Sequence, residues 1–283
     1  MMYVHETSRT FAKIMALAAF CAFSACGSLG ERIDIADTQG SQPKISTILG
    51  DLQANGVALR SFEGGGAMLL ESPHFAGKRT FTSKVFFRKP GELFVQGRHR
   101  ATGILVFRML CVDEEFVMDF PKKKGESFYQ VEGEEFEDVP FSVSPSDIAQ
   151  EMFLPENWEG LKRRECRLVG WNTDSGTATM EIGSKDSPRR RIEVALTESD
   201  SPRWVIVSNE LLNEKNGNRI ALTSLEDYTQ NEDILFPSVI DATYPTEDTR
   251  MKMTFRKIEV NAEVEEEFFD IQAWVERLGL VKR

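Results

Sequence analysis

The sequence predicts a mainly β protein with short helices, built around one antiparallel sheet that curls. Segments in which apolar and polar residues alternate recur along the chain, and turn residues such as Pro90-Gly91 and Asn216-Gly217-Asn218 separate them. The regular alternation of strands with long helices that a parallel sheet needs is missing from the pattern. With 283 residues, 41% of them hydrophobic, the chain is long enough to bury a sizeable core in one domain.

The composition argues against several classes of function. Lys and Arg number 34 against 45 Asp and Glu, and the resulting formal charge of −11 argues against binding to nucleic acid. With 3 His, and without a Gly-x-Ser-x-Gly, a His-Glu-x-x-His or a metal-spaced Cys/His set, the chain does not resemble an enzyme. We therefore predict no catalytic residues, no metal and no cofactor. The 20 Phe against 4 Tyr favour an apolar core or cavity over recognition of sugars or bases.

The first 25 residues are predicted to be a signal peptide. A short basic stretch precedes the apolar run 14–23, which is far below the roughly 20 residues that a membrane-spanning helix needs. The following Ser24-Ala25-Cys26 resembles the cleavage motif of bacterial lipoproteins, in which the Cys is diacylated. Phe23 departs from that motif, and an ordinary signal-peptidase site is the alternative. Lipidation at Cys26 would anchor the protein to a membrane.

Residues 26–42 are polar and are predicted to form a flexible tether between the lipidated Cys26 and the domain. No Asp follows Cys26 directly, and by resemblance to Gram-negative sorting rules this favours the outer membrane over retention at the inner one. We expect a lipid-anchored protein of the cell envelope that faces the periplasm. Two further cysteines, Cys111 and Cys166, form either a disulfide or buried thiols.

Residues 43–283 are predicted to form a single domain that opens with a helix. Ile45, Ile48, Leu49 and Leu52 follow the spacing of one helical face, and Gly56 ends that helix. The strands that follow include a short one at 67–71 and alternating ones at 81–87, 93–97 and 116–120. The segment 104–112 is apolar on both faces, which indicates a strand covered on both sides.

A second helix is predicted to begin at Ser144-Pro145, where Ser144 can cap it, and to stop before Pro155. Beyond it, seven more strands are predicted between residues 166 and 260. Residues 269–278 carry the spacing of a short amphipathic helix.

Two segments of the domain carry recognisable motifs. The first is FFRKPGELFVQG at residues 86–97, with a basic residue before Pro and then Leu-Phe. The second is the ending FPSVIDATYP…RMKMTFRKIEVNAEVEEEFFD at residues 236–270. Both segments resemble the LolA/LolB-like superfamily of outer-membrane lipoprotein carriers and receptors. The resemblance covers about residues 43–270, and it implies an open, incomplete β-barrel capped by helices, with acyl chains held between the sheet and its lid.

The resemblance, combined with the alternation of the strands, selects candidate residues for a lipid-binding site. Each of them could equally be part of an ordinary packed core. The cavity candidates are Val85, Phe87, Leu93, Val95, Val106, Phe116, Met118, Met253 and Phe255. The lid candidates are Ile45, Leu49, Ile148, Met152 and Lys89.

Lys89 matches the position at which the soluble carriers have an Arg that holds the lid shut. A Lys lacks the planar fork of Arg, so we expect locking to need Arg88 instead. The function that the resemblance implies is binding of lipid or lipoprotein acyl chains, for their sorting or transfer across the periplasm. The alternative is an envelope interaction or sensor module with the same fold and a filled core. Whether a periplasmic carrier protein delivers the cargo stays open.

Overall fold

The computed structural model describes residues 30–36, 41–73, 77–113, 115–122, 127–131, 165–184, 188–213 and 215–280. Helix α1 spans Ile45–Ala58 and helix α2 spans Ile271–Leu278, with strands between them. Short 3-10 helices lie at Pro245–Glu247 and Glu266–Phe268. The strands are β1 (Glu31–Arg32), β2 (Asp34–Ile35), β3 (Ser61–Ser72), β4 (Gly77–Arg88), β5 (Glu92–His99), β6 (Leu105–Val112), β7 (Glu115–Asp119), β8 (Phe128–Val131), β9 (Cys166–Asn172), β10 (Thr177–Gly183), β11 (Pro188–Glu198), β12 (Trp204–Leu212), β13 (Arg219–Asn231), β14 (Ile234–Tyr244) and β15 (Thr249–Val260).

These strands form one 15-stranded antiparallel sheet that is not closed into a barrel. Along the sheet the order is β8-β7-β6-β5-β4-β3-β15-β14-β13-β12-β11-β10-β9, and β1 and β2 pair with β13 and β11. Neighbouring strands of this path are consecutive in the sequence except β3 and β15, whose pairing joins the two halves of the sheet. Strands β8 and β9 are the two edges of this path. The predicted fold class, an open antiparallel sheet with few helices, is confirmed.

Helix α1 lies against one face of this sheet, which we call the inner face. Its apolar stripe buries Ile48, Leu49 and Leu52 against β9, β12 and β14. Burial of a side chain of this size contributes about 1.5–3 kcal/mol, which holds the helix on the sheet. The helix continues past Gly56, the predicted end, to Ala58, since Gly56 is itself buried in the last turn and causes no break.

The inner face carries one continuous cluster of buried apolar side chains, called here the inner cluster. Strands from both halves of the sheet contribute to it, and α1 covers part of it. Its members include Ile48, Leu49, Leu52, Phe62, Met68, Phe81, Val85, Phe87, Leu93, Val95, Phe107, Met109, Cys111, Phe116, Met118, Phe236, Met253 and Phe255.

The opposite face, the outer face, carries a smaller apolar cluster beneath α2. Helix α2 begins at Asp270, whose side chain accepts a hydrogen bond from the Ala273 backbone N–H at 2.9 Å, and ends at Gly279 in the left-handed conformation. The predicted C-terminal helix is confirmed. The outer cluster consists of Phe86, Phe94, Leu110, Val117, Tyr129, Phe269, Ile271 and Trp274.

Two predictions about local structure differ from the structure. Strand β3 runs over twelve residues, Ser61–Ser72, and not only over 67–71, because Gly64-Gly65-Gly66 continues the strand between β4 and β15. Part of the predicted tether also belongs to the sheet, since β1 and β2 pair with longer strands and Ile33 between them is buried. The predicted helix that begins at Ser144 lies outside the described residues.

Among the described helices, none has the length and apolar character that crossing a bilayer requires. Within the same part of the chain, no group of three or more His, Cys, Asp or Glu side chains is placed to hold a metal ion.

Candidate functional site

The predicted cavity residues of β4 and β5 lie side by side on the inner face. In the register of these two strands, Val85 is opposite Val95 and Phe87 is opposite Leu93. All four side chains are fully buried. Because side chains on one face of an antiparallel pair face each other directly, the alternation in the sequence placed these four residues together correctly.

Strands β6 and β7 extend this apolar surface towards the β8 edge. Phe116 and Met118 of β7 are buried in the inner cluster, opposite Cys111 and Met109 of β6. The inward residues of β6 are thus Phe107, Met109 and Cys111, whereas the predicted Val106 is half-buried at the margin of the cluster. Because β6 is apolar on both faces, its sequence carries no alternation that could have selected the inward residues.

Met253 and Phe255 of β15 lie on the same face but in a densely packed part of it. The ring of Phe62 stacks on Phe236 at a centroid distance of 4.5 Å and meets Phe255 edge-on at 5.1 Å. Met253 is opposite Met68 in the adjoining strand, and both side chains are buried. This region of the inner face is therefore filled by side chains that contact one another.

Glycines on the inner face allow aromatic rings to lie flat on the sheet. A Cβ at Gly64 would come within 2.3 Å of the ring of Phe62. A Cβ at Gly97 would come within 2.2 Å of the ring of Phe107. Neither position could carry a larger residue without displacing its ring, so these glycines are required by packing.

Two polar side chains of α1, Asp51 and Asn55, hold the helix on the sheet. The Asn55 side-chain amide donates to the Leu235 carbonyl at 2.9 Å and accepts from the Leu235 N–H at 2.7 Å. The Asp51 carboxylate accepts from the Trp204 N–H at 3.0 Å. These contacts fix α1 to β14 and to the start of β12. Their signal in the sequence is weak, since polar residues on a helix ordinarily face solvent.

The end of α1 is fixed by two side chains from distant parts of the chain. Lys89 Nζ donates to the Gly56 carbonyl at 2.6 Å, and Asn261 Nδ2 donates to the Ala58 carbonyl at 3.1 Å. Both carbonyls lie in the last turn of the helix, where backbone acceptors lack partners within the helix. Lys89 thus contacts the α1 backbone itself with its ammonium group, without the planar fork of an Arg. The role of this contact in holding a lid stays a prediction.

The Arg88 side chain lies on the outer face of the sheet. Its guanidinium forms a salt bridge with Glu92 and lies 4.8 Å from the ring centroid of Phe269 in the outer cluster. The bond to Glu92 raises the pKa of the Arg88 guanidinium above its ordinary value. Two adjacent residues therefore contact the segments that cover the two faces of the sheet. Lys89 contacts α1 on the inner face, and Arg88 contacts the segment before α2 on the outer face.

At the beginning of α1, the predicted lid residues also lie on the inner face. Leu49 is buried in the inner cluster, and Ile45 is half-buried against it. The remaining lid candidates, Ile148 and Met152, and the lipidation candidate Cys26 lie outside the described residues, and their roles stay predictions.

The two cysteines of the domain are buried, reduced thiols and form no disulfide. Burial raises the pKa of the Cys111 thiol far above its ordinary value. Burial, together with the nearby Glu165 carboxylate, raises the pKa of the Cys166 thiol to about 11. Neither thiol has the lowered pKa of a reactive nucleophile.

The comparisons with known proteins rest on structure, since no family model matches the sequence and no curated protein matches it. An outer membrane lipoprotein-sorting protein domain from Vibrio parahaemolyticus superimposes with a TM-score of 0.52 at 10% identity, over 81% of this chain and 99% of that one. A LolA superfamily protein from Nitrosomonas europaea gives 0.50 at 12% identity, over 81% and 98%.

The fold is LolA-like. A DUF1329 family protein from Desulfovibrio piger has the same architecture, with a TM-score of 0.55 at 12% identity over 82% of this chain and 99% of that one. The family resemblance of residues 86–97 and 236–270 agrees with these superpositions. In the LolA-like fold of this chain, Lys89 lies between β4 and β5 and contacts α1. At such low identity the likeness concerns architecture.

Proposed function

We propose that this protein is an outer-membrane-anchored lipoprotein that binds the acyl chains of lipids or lipoproteins on the inner face of its sheet. It would take part in their sorting or transfer across the periplasm. Cys26 would provide the membrane anchor, and α1 would form part of the lid. The proposal includes no catalytic step.

One observation carries the proposal: the inner face is apolar from β15 to the β8 edge of an open sheet, and α1, on the other half of that face, has its polar contacts from Asp51 to its C-terminal end. These are the contacts of Asp51, Asn55, Lys89 and Asn261. The turns before Asp51 are held by apolar burial of Ile48 and Leu49. In this proposal the beginning of α1 moves away from the sheet and opens the inner face.

The acyl chain is best placed over the inner faces of β4 to β7. Helix α1 packs on β9, β12 and β14 in the other half of the sheet, and the part around Phe62 and Phe255 is filled by rings. Val85, Val95, Phe116 and Met118 are the buried apolar side chains of the inner face in this half of the sheet, and the acyl chain would contact them. Each methylene buried there contributes about 0.8 kcal/mol. Micromolar affinity corresponds to about 8 kcal/mol, so roughly ten methylenes would supply it before the costs of association.

The alternative is an interaction or sensor module whose inner face is packed throughout. The aromatic group of Phe62, Phe236 and Phe255 favours this alternative, because there the core is closed by the protein's own side chains. The two functions differ in whether β4 to β7 are covered by side chains or by a ligand.

Native mass spectrometry with solvent extraction tests for a bound ligand. The protein would be a soluble version starting at Gly27, which contains all the described residues. We expect acyl species that leave with organic solvent and return when lipid or lipopeptide is added. A preparation that holds no acyl species and takes up none would contradict the proposal and favour the filled core.

A pair of matched substitutions separates a lipid-filled space from a packed one. Val95→Trp adds bulk on the inner face, and Val117→Trp adds the same bulk in the outer cluster. If Val95 lines a ligand space, its variant loses acyl chains and keeps its stability. Overpacking a filled core costs about 1–3 kcal/mol, which we expect for Val117→Trp. An equal loss of stability in both variants, without loss of a ligand, would favour the alternative.

A further inference from the structure

The outer face carries a shallow trough of about 400 Å³ at the junction of β3, β4 and β15. In register, Gly65 of β3 lies between Lys84 of β4 and Lys257 of β15. Lys84 Nζ lies 4.3 Å from the ring centroid of Phe86, a member of the outer cluster, which places this row on the outer face. The trough is thus on the side of the sheet opposite α1 and the inner cluster.

The floor of the trough is made of small residues, and at one of them, Gly65, packing does not require a glycine. A Cβ at Gly65 would meet nothing closer than the Ser83 carbonyl oxygen at 4.0 Å, and the backbone there does not need a positive φ. In this respect Gly65 differs from Gly64, where a ring occupies the space. A larger residue at Gly65 would fit, and it would fill the trough.

The rim of the trough is basic in a chain with a formal charge of −11. Lys84, Arg100, Arg256 and Lys257 line it, against the single carboxylate of Glu63. Lys84 pairs with Glu63 at 3.1 Å, and Lys257 lies 3.7 Å from Glu259. Arg100 and Arg256 are exposed, and among the described residues neither forms a salt bridge.

We propose that this trough binds the phosphate group of an anionic ligand. Arg100 and Arg256, which form no salt bridge with any described residue, can each present a planar pair of N–H donors to phosphate oxygens, and the two lysines add charge beside an open floor. Because the rest of the molecule is acidic, the trough is a place where an anion is attracted and not repelled. The phosphate can come from a lipid headgroup at a bilayer surface or from a soluble phosphate.

The first measurement is co-sedimentation of the purified protein with vesicles of phosphatidylcholine, with and without phosphatidylglycerol. Calorimetry with inorganic phosphate is the parallel arm. We expect binding in at least one arm that weakens as salt is raised, since exposed charges are screened. Vesicle binding without phosphate binding assigns the ligand to a headgroup, and the reverse assigns it to a soluble phosphate.

The decisive variants are Arg100→Glu/Arg256→Glu and Gly65→Val. A basic residue near an anionic surface contributes about fivefold to affinity, so the double reversal should lower vesicle binding by at least roughly thirtyfold. Gly65→Val fills the floor without reversing charge, and it should lose binding at an unchanged or higher Tm, because valine suits a strand better than glycine. The control Lys44→Glu/Lys215→Glu carries the same charge change outside the trough.

The proposal is overturned if the control loses as much binding as the double reversal, or if neither vesicles nor phosphate bind. It is also overturned if polyglutamate binds as tightly as the phosphate ligand and the same variants abolish that binding, which would point to an acidic protein partner. Acyl chains extracted from the inner face should be unchanged in every trough variant. Failure here is therefore separable from failure of the proposed function.

Discussion

The two faces of the sheet both carry a cluster of buried apolar side chains, but the described helices cover them in different ways. The outer cluster lies beneath a short helix that inserts Trp274 and Ile271 into it, next to Phe269. The inner face belongs to a larger cluster, and the helix on it, α1, is held by hydrogen bonds between side chains and backbone groups, such as that of Asn55 with Leu235 and that of Lys89 with Gly56. One helix is therefore held mainly by buried rings and the other mainly by polar contacts with the backbone.

The difference lies in what each cover must break to move. Moving α2 and the segment before it would expose the rings of Trp274 and Phe269. It would also break the contacts of Arg108 with Trp274 and of Arg88 with Phe269, each at 4.8 Å from the ring centroid. Moving the turns of α1 before Asp51 exposes two aliphatic side chains, Ile48 and Leu49, and leaves the polar contacts from Asp51 onwards intact. This contrast is why we propose ligand entry at the inner face, and the following predictions test it.

The largest effect is expected when the outer cover loses its anchor. Trp274→Ala removes the buried indole of α2, the aromatic side chain of that helix. It should lower the free energy of unfolding by about 3–5 kcal/mol, as measured by urea denaturation. Arg277→Ala, which removes an exposed guanidinium 4.8 Å from the same ring, is the control and should cost about 1 kcal/mol or less. A cost below that level for Trp274→Ala would show that α2 does not seal the outer face.

The next effect concerns the fixed half of α1. Asn55→Ala leaves the buried Leu235 backbone N–H and carbonyl without the partners that Asn55 provides. Each such loss costs about 1–3 kcal/mol, so we expect a destabilisation of about 2 kcal/mol or more and faster amide exchange in α1. Val57→Ala alters a residue that is 63% exposed on the same helix and should change the stability by less than about 0.5 kcal/mol. Equal exchange in the two variants would refute the assignment of Asn55 as a fixed point.

Adjacent residues allow the two covers to be loosened separately. Lys89→Met removes the donor to the Gly56 carbonyl and should speed amide exchange in the last turn of α1 and the release of acyl chains. Arg88→Met removes the contact with Phe269 and should speed exchange in α2 alone. Each change should cost about 1–2 kcal/mol, and Lys89→Arg should restore slow release. If both variants affected the same helix, the faces would not be covered independently.

The smallest effect uses Cys111 as a native reporter of the inner face. Because burial raises the pKa of its thiol, little thiolate exists near neutral pH, and alkylation should be slow unless the inner face opens. A thiol below its pKa gains reactivity about tenfold per pH unit. We therefore expect Cys166, with a pKa of about 11, to react before Cys111 as the pH rises. Lys89→Met should accelerate modification of Cys111 but Trp274→Ala should not, and the opposite order would assign the mobile cover to the outer face.

The alternation of residues predicted much of the sheet and of the candidate surface. Strands such as 81–87 and 93–97 alternate clearly, so Val85, Phe87, Leu93 and Val95 could be assigned to one face. Strand β3 was shortened in the prediction by residues that usually break strands, since the triple glycine hid its first half. There, pairing with two neighbouring strands outweighs the local preference.

The sequence by itself determined the fold class, the spacing of the strands, the two terminal helices and the apolar character of the inner face. Periodicity records these features because each side chain's environment repeats with the geometry of its own strand or helix. Only the tertiary structure decided that Lys89 and Asn261 meet the end of α1, that Arg88 serves the other face, and that Gly65 lies between two lysines. Such contacts join residues far apart in the chain, and no local pattern encodes a partner that only the folded sheet brings near.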